Sequence, residues 1–394
     1  MLVAFSIVHV LLYSVVYHTI ERLSKMEPVT STENLSSESL SHTGLLSQMG
    51  YTILAIIMGV LSLAGIILNI LVIVVTARHR KLRQPLSYAL FNLAVCDLGC
   101  ALFGGLPTTF NGIMGQFSLG RLGCVFGGFA VAFFGISALC TVAVISVERY
   151  IVVCYPMGAV LFQTRHAVAG VVLSWVWSFV WNTPPLFGWG SFDLEGVQIS
   201  CAPNWYNRDA ANMSYIILYF SLCFAVPFSA IMVSYSKLLW TLRQVSKLQT
   251  SESGSTYRVE RQVARMVVVM ILAFLITWLP YAAMALAVIM DPSLNIDPIV
   301  ATIPVYLAKS STIYNPIIYI FMNRQVTLHL FEHINNHTAT NHELSVFQFR
   351  GCAIAVLQCG WSPWPSEAQI SDAATIVASV NKNNKAVVEQ SPKE

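Results

Sequence analysis

Lys309 has the most unusual position in this sequence. It lies inside the apolar run from Pro298 to Met322, about 16 Å deep if that run is a helix rising about 1.5 Å per residue. A protonated Lys near mid-membrane costs at least ~2.5 kcal/mol on insertion scales, so something must use it or pair with it. An amine left neutral by burial is a good nucleophile for a carbonyl, and a Schiff base with an aldehyde is one reading. A structural ion pair with a carboxylate on a neighbouring helix is the other. Phe274, Trp278 and Tyr281 follow one another at spacings of four and three in the sixth apolar run, which puts three aromatic rings on one helix face near the depth of Lys309. Alone, such a stripe is usually core packing; beside a buried amine it fits a pocket for a long, flat, apolar ligand.

A protonated imine in a dry pocket needs a counter-ion. Glu195 is the best candidate, because it precedes Cys201 closely, and a disulfide from Cys201 would tether its loop against the outer end of the third run. Asp97 is the other intramembrane carboxylate. With Asn69 on the first run and Asn315 on the seventh, it suits a polar or sodium-binding cluster nearer the cytosolic half and a part in a conformational switch. Glu148-Arg149-Tyr150 closes the third run at the cytosolic boundary. Arg149 can pair with Glu148 and with Glu260 at the start of the sixth run, a bridge that breaks if that helix swings outward; the plainer reading is a snorkelling Arg. Asn315-Pro316-Ile-Ile-Tyr319, Pro227 and Pro280 put helix-weakening prolines where hinges would be useful.

Elements of great length and low polarity are needed to hold these residues. Of 394 residues 56% are hydrophobic and 10% charged, with mean hydropathy +0.64, whereas soluble chains carry about 25% charge. A net charge of +3, with Lys and Arg scattered or at run ends, excludes nucleic-acid binding as the main activity. A bilayer core needs about 20 apolar residues per helix, and seven runs qualify, at 51–77, 86–110, 122–147, 167–190, 213–236, 266–290 and 298–322. The fold class is therefore an all-α membrane protein, a seven-transmembrane helix bundle. Basic residues gather after the first run and between the fifth and sixth, which places the amino terminus outside and the carboxyl terminus in the cytosol. Sequons at Asn34 and Asn212 then fall outside as glycosylation sites, and Asn336 falls inside, unused. Cys124 and Cys201 share the oxidising side and can form a disulfide, although spacing alone also allows two free thiols. Cys96, Cys100, Cys140, Cys154 and Cys223 suit small packing roles.

The ends divide by composition. Residues 1–25 carry an apolar stretch without the basic leader or cleavage site of a signal peptide, and are expected to be a doubtful extension upstream of Met26. Residues 26–50 form a polar extracellular amino terminus, 51–325 the seven-helix domain and 349–394 a cytoplasmic tail.

Glu148-Arg149-Tyr150, Trp278-Leu-Pro280-Tyr281, Asn315-Pro316-Ile-Ile-Tyr319 and the Cys124/Cys201 pair resemble the rhodopsin-like G-protein-coupled receptors over about residues 50 to 325. Lys309 within Ala-Lys-Ser-Ser-Thr-Ile-Tyr-Asn-Pro narrows the resemblance to the opsins. The stretch from Phe179 through Trp205-Tyr206 looks most like the parapinopsin group of non-visual pineal pigments, with the pineal and vertebrate ancient opsins next. The resemblance implies 11-cis-retinal on Lys309 and light-driven activation of a Gi/transducin-class heterotrimeric G protein. It further implies arrestin and a receptor kinase as partners, in photoreceptor cells of the pineal complex. It carries over Trp278, Tyr281, Gly135 and Phe224 as retinal contacts, Arg149 and Glu260 as an ionic lock, and Tyr235 and Tyr319 as residues that repack on activation.

Two departures matter. Vertebrate visual opsins carry a Glu three residues beyond the third-span Cys, and this chain has Gly127. Glu195 is then left as the obvious partner of the imine in dark and photoproduct states alike, which favours a stable, photoreversible product; a weaker counter-ion would instead leave the imine unprotonated and ultraviolet-absorbing. The family pattern also breaks after Asn323-Arg324-Gln325 and resumes at Phe349-Arg350-Gly-Cys352 and Cys359, the expected palmitoylation site. Residues 326–348 read as an intron translated in frame, since Val codons begin GT and a Gln codon is CAG. Rival functions are a retinal photoisomerase, which would share Lys309 and the pocket, and a receptor for a diffusible apolar ligand in which Lys309 only pairs ions.

Overall fold

The computed structural model describes residues 45–78, 85–155, 162–248, 255–291, 293, 294 and 296–322, with their side chains except at 242, 243, 245–248 and 255–261. Seven long helices make up most of these residues. They are α1 Gln48–Arg78, α2 Pro85–Met114, α3 Gly120–Cys154, α4 Thr164–Asn182, α5 Ala210–Tyr219 continuing through Val226–Leu248, α6 Ser255–Met290 and α7 Pro298–Met322. An apolar run in lipid has no water to satisfy its backbone, so it must close its hydrogen bonds within itself. By length and composition α1, α2, α3, α5 and α6 can each cross a membrane. In α7 the polar residues Lys309, Ser310, Ser311, Thr312 and Asn315 lower the hydropathy, and they are the ones on which the chemistry depends.

The fourth span, expected over 167–190, is shorter: α4 ends at Asn182 and a single 3-10 turn, Pro184–Phe187, follows. Pro184 and Pro185 supply no N–H to continue an α-helix, and a proline disfavours helical backbone in the residue before it. Two other helices change pitch ahead of a proline. α2 has a π-helical segment at Ala101–Gly105 before Pro107, and α5 has one at Phe220–Ala225 before Pro227. The wider turn accommodates both the missing donor and the crowding proline ring. Gly105 also lets α2 approach α1, since a Cβ there would stand 2.1 Å from Ser62 Oγ.

A two-stranded antiparallel hairpin lies between α4 and α5, with β1 Phe192–Glu195 and β2 Ser200–Pro203. Its register sets Leu194 opposite Cys201 and Glu195 opposite Ser200. Cys201 is bonded to Cys124 in the first turns of α3, as expected. Hydrogen bonds fix the rest of the hairpin: Tyr51 of α1 donates to Val197 O (3.3 Å), Asn111 of α2 to Ile199 O (3.0 Å), and Val197 N–H to Thr302 Oγ1 of α7 (3.0 Å). The turn needs glycine at position 196. Its φ is +57°, and a Cβ there would meet Thr302 Oγ1 at 2.4 Å. Val197 and Ile199 complete a buried cluster with Leu54, Met58, Ile303 and Tyr306, so α1, the hairpin and α7 share one core.

Candidate functional site

α7 stays helical through a polar stretch because its hydroxyls turn back on its own carbonyls: Ser310 Oγ donates to Leu307 O (2.7 Å) and Thr312 Oγ1 to Lys309 O (3.2 Å). Lys309 is left to point into the bundle. Its Nζ donates to Glu195 Oε1 at 2.8 Å and to Ser200 Oγ at 3.3 Å. The hairpin register accounts for both contacts, since Glu195 and Ser200 are cross-strand neighbours and the Ser200 hydroxyl also donates to Glu195 Oε1 (2.9 Å). The second carboxylate oxygen, Oε2, accepts the Tyr281 hydroxyl (3.2 Å), and the Tyr281 oxygen accepts Trp205 Nε1–H (3.0 Å). Lys309 and Glu195 side chains are each 11% exposed. A buried ion pair owes its persistence to added hydrogen bonds that offset desolvation, and this one has three donors on the carboxylate. Outside the membrane span, burial and the Glu195 charge also push the Tyr206 phenol above its ordinary range.

Lys309 and Glu195 lie on the wall of a cavity of about 100 Å³. Every residue that sequence reading assigned to the pocket lines it: Trp278, Tyr281, Phe274, Phe224 and Gly135. The lining is aromatic and aliphatic apart from the polar groups at the Lys309 end, the composition of a site for an apolar ligand. The Trp278 indole stacks on Phe274 (centroids 5.7 Å, 25°), meets Tyr281 edge-on (6.3 Å, 90°) and donates to Ser311 Oγ (3.1 Å). Gly135 gives it room, because a Cβ there would be 3.3 Å from the ring. The amine thus stands at the polar end of an otherwise apolar, aromatic-lined cavity. At Gly127 the nearest atom to an added Cβ is Phe103 O at 3.9 Å, and a smaller cavity there reaches Lys309. Among the described residues Glu195 is the carboxylate within hydrogen-bond reach of the amine.

Sequence reading missed Ser200, Trp205 and Tyr219, which complete the site. Ser200 could have been found by pairing Glu195 across a short turn; Trp205 and Tyr219 needed the loop path.

Farther along α7, Asn315 Nδ2 donates to Asp97 Oδ2 (2.9 Å). Asn69, expected in the same cluster, bonds backbone instead, at Gly65 O (2.8 Å) and Thr312 O (2.9 Å). It thus ties α1 to α7. At the far end of α3, Glu148 and Arg149 are buried and paired with each other, and the Tyr150 hydroxyl is 3.1 Å from that of Tyr155. Tyr319 is buried beside Asn315 and Pro316, and Tyr235 is half-buried on α5. The side chain of Glu260 lies outside the described residues, as do Asn34, Cys359 and residues 1–25 and 326–348.

The Asn212 sequon has an interior setting, which counts against its reading as a glycan acceptor. Asn212, read as a glycan acceptor, is 3% exposed in the first turn of α5. Its Nδ2 donates to Asn204 O and Asn207 O (2.9 Å each), and its Oδ1 accepts the Ser191 hydroxyl (3.2 Å). The amide that would carry a sugar is enclosed and fully used in holding the loop after β2.

The chain was compared with known proteins. The 7 transmembrane receptor (rhodopsin family) matches residues 68–319. Parapinopsin of Ictalurus punctatus is 59% identical over 356 residues, covering 89% of this chain and 96% of the relative. Pinopsin of Columba livia is 44% identical, over 79% and 83% respectively. Among solved structures, squid rhodopsin superposes with a TM-score of 0.68 at 26% identity, covering 78% of this chain and 94% of that one.

Proposed function

Because the chain belongs to the rhodopsin family of seven-transmembrane receptors, and within it to the opsins, we propose that Lys309 holds retinal as a Schiff base with Glu195 as its counter-ion. As an opsin it is a multi-pass membrane photoreceptor that works through a G protein, and a receptor, not an enzyme. The observation that carries the proposal is the ion pair of Lys309 and Glu195 on the wall of an aromatic cavity.

Bound retinal supplies a polyene whose light-driven isomerisation changes the shape of what fills the cavity. The chain's own residues do the rest. Glu195 balances the charge on the Lys309 nitrogen, and the apolar lining excludes water that would hydrolyse the linkage. Trp278, seated between Gly135 and Ser311, registers a change of shape and passes it to α6, which bends most easily at Pro280. α7 passes it on through Asn315 to Asp97. Arg149, released from Glu148, and the repacking of Tyr235 and Tyr319 then open a cleft for a Gi/transducin-class G protein. In this reading the hairpin end faces outside the cell and the Arg149 end the cytosol; the dark isomer is 11-cis; arrestin and a receptor kinase end the signal; and the receptor serves pineal photoreceptor cells. With Gly127 in place of a third-helix acid, Glu195 is the counter-ion before and after light, which supports a photoreversible pigment.

The test is expression with 11-cis-retinal, spectra before and after alternating illumination, and borohydride reduction. A reduced adduct at Lys309 is expected, and light-dependent nucleotide exchange on the G protein separates a receptor from a photoisomerase. No adduct at Lys309 would end the proposal.

A further inference from the structure

Glu195 has two oxygens with different partners. Oε1 takes Lys309 and Ser200, and among the described residues Oε2 takes only the Tyr281 hydroxyl. Once Lys309 is in a Schiff base its nitrogen keeps one N–H, so the carboxylate depends more heavily on the two hydroxyls. A phenol hydroxyl can donate or accept, so Tyr281 is by itself an unreliable donor. An indole can only donate. Trp205 Nε1–H, 3.0 Å from the Tyr281 oxygen, therefore occupies the accepting side of that hydroxyl and leaves its one hydrogen for Glu195. The order indole, phenol, carboxylate is a directed chain in which each bond polarises the next.

The fold fixes Trp205 for this purpose. It is 7% exposed, with ring contacts to Tyr219 at 6.4 Å and to Tyr281 at 6.2 Å, the latter edge-on. The loop that presents it is held by its own turn, in which Asn204 Oδ1 accepts the N–H groups of Tyr206 and Asn207. The buried Asn212 then grips the carbonyls of Asn204 and Asn207. A residue whose sequence pattern suggests a sugar acceptor thus anchors the loop that aims the indole.

We propose that Trp205 is a positioning residue for the counter-ion: it sets the direction of the Tyr281 hydrogen bond and so keeps Glu195 charged opposite Lys309. This rests on Glu195 being the counter-ion. The test replaces Trp205 with β-(3-benzothienyl)alanine, which keeps the indole's shape and loses its N–H. The pigment is reconstituted with 11-cis-retinal, and the protonated Schiff base is titrated by absorbance against pH. The ratio of protonated to unprotonated form at a given pH is expected to fall about two- to fourfold, from losing one cooperative link to a charged acceptor. The same replacement in a Tyr281→Phe background is expected to leave the titration where Tyr281→Phe alone puts it. A parallel readout without retinal is the Glu195 carboxylate infrared band of the apoprotein, which should move in the analogue and stay where Tyr281→Phe alone puts it when the analogue is made in that background. An unmoved titration in the analogue, or an equal shift with and without the Tyr281 hydroxyl, overturns the proposal. Glu195→Gln keeps the two readings apart: if it leaves the titration unchanged, the counter-ion assignment itself fails; if it shifts the titration and the analogue does not, only the role of Trp205 fails.

Discussion

Among the described residues, the hairpin end and the Arg149 end of this bundle are joined differently. At the hairpin end, a disulfide and side-chain bonds from α1, α2 and α7 converge on a few residues between Glu195 and Cys201. Arg208 adds a bond to Val288 O near the end of α6 (2.7 Å). At the Arg149 end Glu148 and Arg149 pair along α3, and among the described residues single non-covalent bonds join helices, such as Gln262 Nε2 to Met322 O (3.3 Å) and Cys154 Sγ to Thr241 Oγ1 (3.2 Å). A receptor must hold its ligand in one geometry while its other end changes partners. A disulfide with a convergent set of bonds at one end, and dispersed non-covalent bonds at the other, meet both needs in a single bundle.

The sharpest way to break this contrast is to cut the covalent link. Cys124→Ser or Cys201→Ser is expected to cost about 2–5 kcal/mol and release the strand carrying Glu195, so that little folded pigment forms; thermal denaturation in detergent would read it. Gly105→Val comes next, since its first side-chain atom meets Ser62, and a loss of about 1–3 kcal/mol is expected in the same assay. Gly127→Ala, where the nearest atom is 3.9 Å away, should leave melting unchanged, and equal losses at the two glycines would refute the packing argument. At the other end the effect should be on signalling. Glu148→Gln is expected to raise nucleotide exchange in darkness by about 5- to 30-fold, a coupling of about 1–2 kcal/mol, with the spectrum unmoved. A shifted spectrum would mean that the two ends are not separable. The smallest effect concerns Asn212. Asn212→Gln should leave gel mobility before and after deglycosidase unchanged, while loosening its loop by about 1 kcal/mol for each bond lost.

Much of this was legible in the sequence for one reason: burying charge in lipid is costly, so the few polar residues in apolar runs are conspicuous. Lys309, Asp97 and the seven runs follow from that alone, and Glu195 follows from its proximity to Cys201. What depends on backbone path was not legible. The early end of α4 was hidden because the segment after Pro184 and Pro185 stays apolar, and hydropathy does not register a missing N–H. The π segment of α2 is concealed in an ordinary-looking Gly-Gly pair. Ser200 and Trp205 act through hydrogen bonds whose partners are distant in sequence, and Asn212 shows how a surface motif can be claimed by the interior once a loop folds over it.

The hairpin has one more implication. Glu195, Ser200, Cys201 and Trp205 all fall in a short contiguous stretch of chain, while their targets Lys309, Tyr281 and Cys124 sit on three separate helices. With Glu195 as the proposed counter-ion, swapping this one loop between related pigments is expected to carry colour and photoproduct lifetime with it, leaving the membrane-spanning scaffold untouched.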